Sequence, residues 1–138
     1  MTAFTSATAF VKRWHAMVEA RDLSALDEMA HENAVFFSPA VFKPYEGREA
    51  LKFILSTVIT VFEDFTYHRE FYTEDARSIA LEFTARVGDK SLQGADYIKF
   101  DKDGKIIEFT VMVRPMSGLM NLADAMRARF EAATHAPQ

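Results

Sequence analysis

Asp96 is the residue that core-building alone leaves unexplained. In Gln93-Gly-Ala-Asp-Tyr-Ile-Lys-Phe100, a strand's period of two puts Asp96 on one face with Ile98 and Phe100, while Tyr97 and Lys99 point away. A carboxyl group set among Ile98, Phe100, Phe83 and Val111 loses solvation, and that loss disfavours its ionised form. Such a group is expected to keep its proton near neutrality. It would donate a hydrogen bond to a ligand carbonyl or toward Trp14's side of a pocket, which makes Asp96 the candidate catalytic residue. Trp14 shares a helical stripe with Phe10, Met17 and Val18, and its indole N–H requires a partner when buried. Ser38 ends a short strand on the same face as Phe36. Its hydroxyl is no base at neutral pH without a partner, and no His or Lys lies near it in sequence. His15 reads as a partly buried structural histidine. His31 and Glu32 are adjacent but diverge as loop neighbours and have no third ligand, so neither a metal nor a cofactor is expected.

The elements that must position these residues centre on a meander, Ile79 to Arg114. Ile79–Val87 alternates apolar and polar residues, Gly88-Asp89-Lys90 turns the chain, and Gln93–Phe100 runs back. Asp101-Lys-Asp-Gly104 is a hairpin signal, with carboxylates and a glycine able to take positive φ. Lys105–Arg114 then runs out to Pro115, with Ile107, Phe109, Val111 and Val113 on one face and Glu108, Thr110, Met112 and Arg114 on the other.

Upstream, Thr5 or Ser6 is read as the cap of a first helix that ends at Arg21-Asp22. A short second helix turns Leu23, Leu26 and Met29 inward, and His31-Glu32-Asn33 is its exit loop. Ala34–Ser38 reads as a strand. The loop Pro39–Glu46 carries Phe42 and Tyr45, enough aromatic surface to cap something or to meet a partner chain. Gly47 opens a third helix to about Phe62, whose apolar face is Leu51, Ile54, Leu55, Val58 and Ile59. In the strand Phe65–Glu74 either Phe65, Tyr67, Arg69 and Phe71 or Thr66, His68, Glu70 and Tyr72 face inward, and Arg69 reads as a solvated edge charge. Ser117 is read as the cap of a last helix with Leu119, Leu122, Ala123, Met126 and Phe130 on one stripe, followed by a frayed tail from His135 to Gln138.

These elements, helices gathered apart from antiparallel strands, describe an α+β fold. At 138 residues the chain is one domain, 1–138, and 49% hydrophobic content with 13 Phe suffices for a core. A net charge of −4 without a basic block gives no reason to expect nucleic acid. The absence of cysteine excludes disulfides, thiolate catalysis and cysteine metal sites. No apolar run reaches membrane-spanning length and no secretory h-region opens the chain, so a soluble cytoplasmic protein with no membrane partner is expected.

Val11-Lys-Arg-Trp14, Arg21-Asp-Leu23 and Phe36-Phe-Ser-Pro39 together resemble the opening of the nuclear transport factor 2-like superfamily. Gly47-Arg-Glu-Ala-Leu51 and Asp96-Tyr-Ile-Lys-Phe100 before Asp-x-x-Gly-Lys-Ile continue the resemblance to Met116. Ketosteroid isomerases and SnoaL-type polyketide cyclases belong to this superfamily. The resemblance implies a cone: a curved antiparallel sheet wrapped round a long helix, with an apolar cavity at its open end. It also implies pairing through the convex face of the sheet. Against the ketosteroid isomerase pattern, Trp14 falls at the oxyanion-hole tyrosine, Ser38 at the proton-moving aspartate and Asp96 at the second oxyanion-hole acid. One position of three agrees, which argues for the cavity and against that chemistry.

The resulting expectation is a small-molecule-binding domain with an apolar cavity for a hydrophobic, cyclic or carbonyl-bearing ligand. Its expected lining is Trp14, Phe36, Ser38, Phe83, Ile98, Phe109, Val111 and Val113, with Asp96 as the polar group. One alternative is a protein-interaction or dimerisation module without a small-molecule substrate. Another is an isomerase, cyclase or dehydratase of polyketide- or steroid-like compounds. A homodimer is expected through the outer face that carries Tyr97, Lys99, Thr110, Met112 and Arg114.

Overall fold

The computed structural model of the protein describes residues 3–134; the tail from His135 lies outside the described residues. Helix α1 spans Ala3–Ala20, so Thr5 and Ser6 fall inside its first turns rather than before them. Val11, Trp14 and Met17 bury one stripe of it. The helix stops because Arg21 takes a left-handed conformation (φ 56°), letting the N–H of Asp22 reach the carbonyl of Met17 at 3.0 Å and that of Arg21 the carbonyl of Val18 at 3.1 Å. Asp22 then accepts the N–H of Ser24 at 3.0 Å, which turns the chain into the single turn α2, Leu26–Met29.

Strand β1 spans Ala30–Phe37 and takes in His31, Glu32 and Asn33, which the sequence pattern reads as a loop. Its small Ala30 and Ala34 are fully buried. After β2 (Tyr45–Glu46), Gly47 takes φ 101° and α3 (Arg48–Val61) follows, burying Leu51, Ile54 and Leu55. The remaining strands are β3 (Glu63–Tyr72), β4 (Ser78–Val87), β5 (Lys90–Phe100) and β6 (Ile106–Arg114). They build one open, curved six-stranded sheet in the order β2-β1-β6-β5-β4-β3. The sheet is mixed: β1 lies parallel to β6, and every other pair is antiparallel.

The meander is regular from Ser78↔Lys99 to Val87↔Lys90, so β4 alternates strictly and buries Ile79, Leu81, Phe83, Ala85 and Val87. At the second hairpin Asp101 accepts the N–H groups of Asp103 and Lys105 at 2.8 and 2.9 Å, and Gly104 takes φ 79°. The register slips between Lys99 and Phe100, which pairs Phe100 with Ile106. Ile106 rather than Ile107 is therefore the fully buried isoleucine; Phe109 and Val111 keep the inward face.

A cis Arg114–Pro115 bond leads into α4, Met116–Thr134, with Ser117 inside the helix. The start of α4 is fixed on the sheet. A Cβ on Gly118 would lie 2.8 Å from the Leu92 side chain and 2.9 Å from the Ser91 carbonyl, and Asn121 donates to the Val87 carbonyl at 3.1 Å. The helix then crosses to α3, where Phe130 stacks on Phe53 at 5.5 Å and Arg129 donates to Thr60 at 2.8 Å.

Candidate functional site

Tyr67 on β3, Phe83 on β4 and Gly94 on β5 lie in one row across the sheet, with Asp96 two residues along β5 on the same face. One strand, β4, lies between those of Tyr67 and Asp96, so two strand spacings, about 10 Å, part them, a span that a phenol and a carboxyl can bridge together. The space that a side chain at position 94 would occupy belongs to the Phe83 ring: a Cβ there would lie 2.4 Å from it. That ring packs between Phe62 and Phe65, at 5.5 and 4.9 Å, and lays an apolar floor beneath the polar pair.

Over this floor three side chains form a directed chain of hydrogen bonds. Trp14 Nε1–H donates to Tyr67 Oη at 2.8 Å, and Tyr67 Oη–H donates to Asp96 Oδ2 at 2.7 Å. His15 stacks on the Tyr67 ring at 4.8 Å, and its buried Nε2 has no hydrogen-bond partner. Asp96 is 6% exposed and is the one charged or polar residue among those that count as buried in the described chain. Burial pushes its carboxyl up to about 7, against the pull of the Tyr67 hydrogen bond, which favours the charged form. The Tyr67 phenol is pushed well above its usual range, by burial first and by the Asp96 carboxylate next, so it acts as a donor. The indole N–H thus points at Tyr67. Trp14 and Asp96 meet only through that hydroxyl.

Asp96 opens on a cavity of about 700 Å³, within the size range of ligand pockets. Trp14, Phe36, Ser38, Asp96 and Val111 are on its wall; Phe83, Ile98 and Phe109 are packed in the core behind it, and Val113 packs against that core without reaching it. Each of these four lies on the inward face of a strand, but Phe83 and Val113 flank the Asp96–Val111 row on one side and Ile98 and Phe109 on the other, where neighbouring side chains fill the space. The sequence reading missed Tyr67, which lines the cavity, because it left the inward side of β3 undecided. It also missed the contribution of α3, where Ile54, Leu55, Val58 and Ile59 line the same space, although their apolar stripe was plain. Helix α4 closes another side with Leu119, Leu122, Met126 and Phe130.

Ser38 is occupied elsewhere. Its Oγ accepts the N–H of Ala40 at 3.0 Å and that of Val41 at 3.3 Å, which shapes the loop at the cavity wall. Besides Asp96, the ionisable lining residues among the described residues are Tyr45, Tyr67, Arg127 and Glu131, so no described histidine or lysine on the wall could take the Ser38 proton. Tyr45 packs near Phe36, at 6.4 Å between rings, whereas Phe42 is fully exposed. Arg69 lies outside, paired with Glu82 and 5.3 Å above the Phe71 ring. Among the described residues no group of three His, Asp or Glu side chains could hold a metal ion, and no helix is long and apolar enough to cross a membrane.

Helices followed by a curved, open six-stranded sheet and a C-terminal helix match the nuclear transport factor 2-like fold. Within that class the chain belongs to the SnoaL-like domain family, whose model matches residues 11–109. A structure described as a steroid delta-isomerase from Pseudomonas aeruginosa is 50% identical and superposes with a TM-score of 0.92, over 95% of this chain and 96% of that one. A protein with a cystatin-like fold from Silicibacter pomeroyi is 32% identical, with a TM-score of 0.79 over 86% of this chain and 83% of the other. A nuclear transport factor 2-like protein of unknown function from Mesorhizobium loti shares the fold at 18% identity, with a TM-score of 0.72 over 83% and 96% of the two chains. No curated protein sequence matches the chain.

Proposed function

We propose that the protein binds a hydrophobic, cyclic, carbonyl- or hydroxyl-bearing small molecule in the cavity, with Asp96 as its polar anchor. One observation carries this reading: the apolar wall holds a single deeply buried carboxyl, tied on one oxygen by Tyr67. A protonated Asp96 donates to a ligand oxygen, and an ionised one accepts from a ligand hydroxyl. The test is equilibrium binding of 2-naphthol, a fluorescent two-ring alcohol, to the wild type and to Asp96→Ala. Binding that weakens about fivefold or more in the variant supports the reading, since one hydrogen bond is worth roughly 1 kcal/mol. Equal binding by both proteins removes Asp96 from the site, and no binding by either removes the ligand-binding reading in favour of an interaction module.

The 50% identity to a structure described as a steroid delta-isomerase favours a second reading, acid–base isomerisation. That reaction lifts a proton from carbon and returns it elsewhere on the ring, while donors face the enolate oxygen. Asp96 can furnish a donor, but the Trp14 N–H is engaged by Tyr67 and Ser38 is no base. We therefore expect no appreciable turnover of a 5-ene-3-ketosteroid by the wild type, and a detectable trace in Ser38→Asp. Enone absorbance that grows rapidly for the wild type and equally for Ser38→Ala would place a base elsewhere in the cavity.

The same reading includes a two-fold homodimer through the outer sheet face. Met112 (58% exposed) and Tyr97 (45%) leave that face too apolar for simple solvation, with Lys99, Thr110 and Arg114 around them. Sedimentation at tens of micromolar giving a monomer would exclude it.

A further inference from the structure

The connection between β1 and β2 borders the cavity, with its base pinned and its tip free. At the base Phe36 pairs with Tyr45 in the ladder, and their rings pack at 6.4 Å. Residues 40–43 lie beyond that rung. Among the described residues, the only hydrogen bonds their main chain makes are those from Ala40 and Val41 to Ser38 Oγ. That pair of bonds, with Pro39 before it and Pro44 after it, makes the tip one stiff piece. Of the apolar side chains lining the cavity, two count among the exposed large hydrophobics of the described chain. They are Val41 on this connection, 44% exposed, and Met120 on α4, 56% exposed. A residue that both lines a cavity and meets solvent stands at its mouth, so the mouth lies between the connection and α4. Next to Val41, Phe42 holds its whole ring in water. A phenylalanine ring left fully hydrated forgoes a large apolar burial, and the cavity wall begins one residue away.

We infer that the β1–β2 connection is a lid: once the cavity is filled, its tip swings as one piece and lays the Phe42 ring across the mouth toward Met120, shutting the occupant off from solvent. The arrangement described above is the open one. Closure removes two apolar side chains from water, and an occupant supplies the further apolar surface that an empty mouth lacks, so filling favours the closed form. The lid acts on release rather than entry, because the open form already admits a ligand. This inference rests on the ligand-binding reading above and adds how the ligand is retained.

Two measurements with 2-naphthol test the lid. In the first, Phe42 is replaced by 4-fluorophenylalanine, and fluorine NMR follows how strongly a soluble paramagnetic agent relaxes the label. The label is expected to be fully accessible in the free protein and largely protected once 2-naphthol saturates the cavity. In the second, stopped-flow fluorescence compares the wild type with Phe42→Ala and Phe42→Leu, with thermal melts checking that each variant folds. Phe42→Ala is expected to release 2-naphthol about tenfold faster while its association rate stays within about twofold of wild type, since the lost ring covers the bound state only. Phe42→Leu, which keeps an apolar side chain, is expected to fall between the two. The inference is overturned if 2-naphthol binds yet the fluorine stays as accessible as in the free protein, or if Phe42→Ala releases it at the wild-type rate. It is equally overturned if the fluorine is already protected without 2-naphthol and loses that protection on dilution, because Phe42 would then be covered by a second copy of the chain. Absence of any 2-naphthol binding by the wild type would refute the ligand-binding reading, and the lid with it.

Discussion

Tyr67→Phe removes one oxygen atom and tests the polar chain at its middle. The ring stays: His15, Phe65 and Phe83 pack against it at 4.8, 4.8 and 6.3 Å, so no cavity opens. The oxygen serves two partners, accepting from Trp14 at 2.8 Å and donating to Asp96 at 2.7 Å. Its loss leaves a buried indole N–H and a buried carboxyl oxygen, each costing about 1–3 kcal/mol when unsatisfied. Part of that is offset because the phenol's own burial cost disappears, which leaves a net loss of about 2–3 kcal/mol. For a chain of this size that corresponds to a fall in melting temperature of roughly 6–15 °C. The hydrogen bond from Tyr67 favours ionised Asp96, so removing it drives the carboxyl further above about 7. The loss should therefore be larger at pH 8, where the wild-type carboxyl is mostly ionised, than at pH 6. Urea unfolding at both values, followed by tryptophan fluorescence, reads the difference. Stability within about 0.5 kcal/mol of wild type at both pH values would show that the hydroxyl bridges nothing, and the chain from Trp14 to Asp96 would fall.

Asp96→Asn separates charge from shape. A carboxyl raised from 3.8 to about 7 on folding makes the folded state hold a proton that the unfolded state has released, so its stabilising contribution is full below about pH 4 and is lost as pH rises to about 7. The loss over that window is on the order of 4 kcal/mol, after which the profile is flat. The asparagine variant, unable to ionise, should lack this decline and equal or exceed the wild type at pH 8 in urea titrations. Gly94→Ala should cost about 3 kcal/mol, because the added methyl lies 2.4 Å from a Phe83 ring that Phe62 and Phe65 hold in place. A denaturation midpoint equal to wild type would mean that the ring moves freely.

Asp96 was legible from the sequence because β5 and its neighbours β4 and β6 are long and paired without slippage around it, so a period of two assigns its face. The third helix was legible for a similar reason, its apolar stripe being continuous. Tyr67 was not legible because β3 breaks its own alternation. Its register against β4 slips between Tyr67 and Glu70, so Phe65 and Tyr67 turn inward while Arg69 and Phe71 turn out to meet Glu82 and solvent. The slip at Phe100 moved Ile106 into the core in place of Ile107 by the same mechanism. The destination of α4 depends on the missing side chain of Gly118 against Leu92, a contact between residues far apart in sequence. No local pattern encodes it. The stripe from Leu119 to Phe130 said that α4 buries a face, and the fold decided that this face closes the cavity.

The central claim is that the cavity holds one carboxyl near its point of half-protonation, available to a ligand oxygen. Carbon-13 NMR of the Asp96 side-chain carboxyl, titrated from pH 3 to 9 and assigned by comparison with Asp96→Asn, measures this directly. The account predicts a midpoint near 7 in the free protein and an upward displacement when a ketone that only accepts hydrogen bonds, such as 2-tetralone, fills the cavity. A midpoint near 3.9, the ordinary aspartate value, would contradict the account, because the carboxyl would then be solvated or paired with a cation.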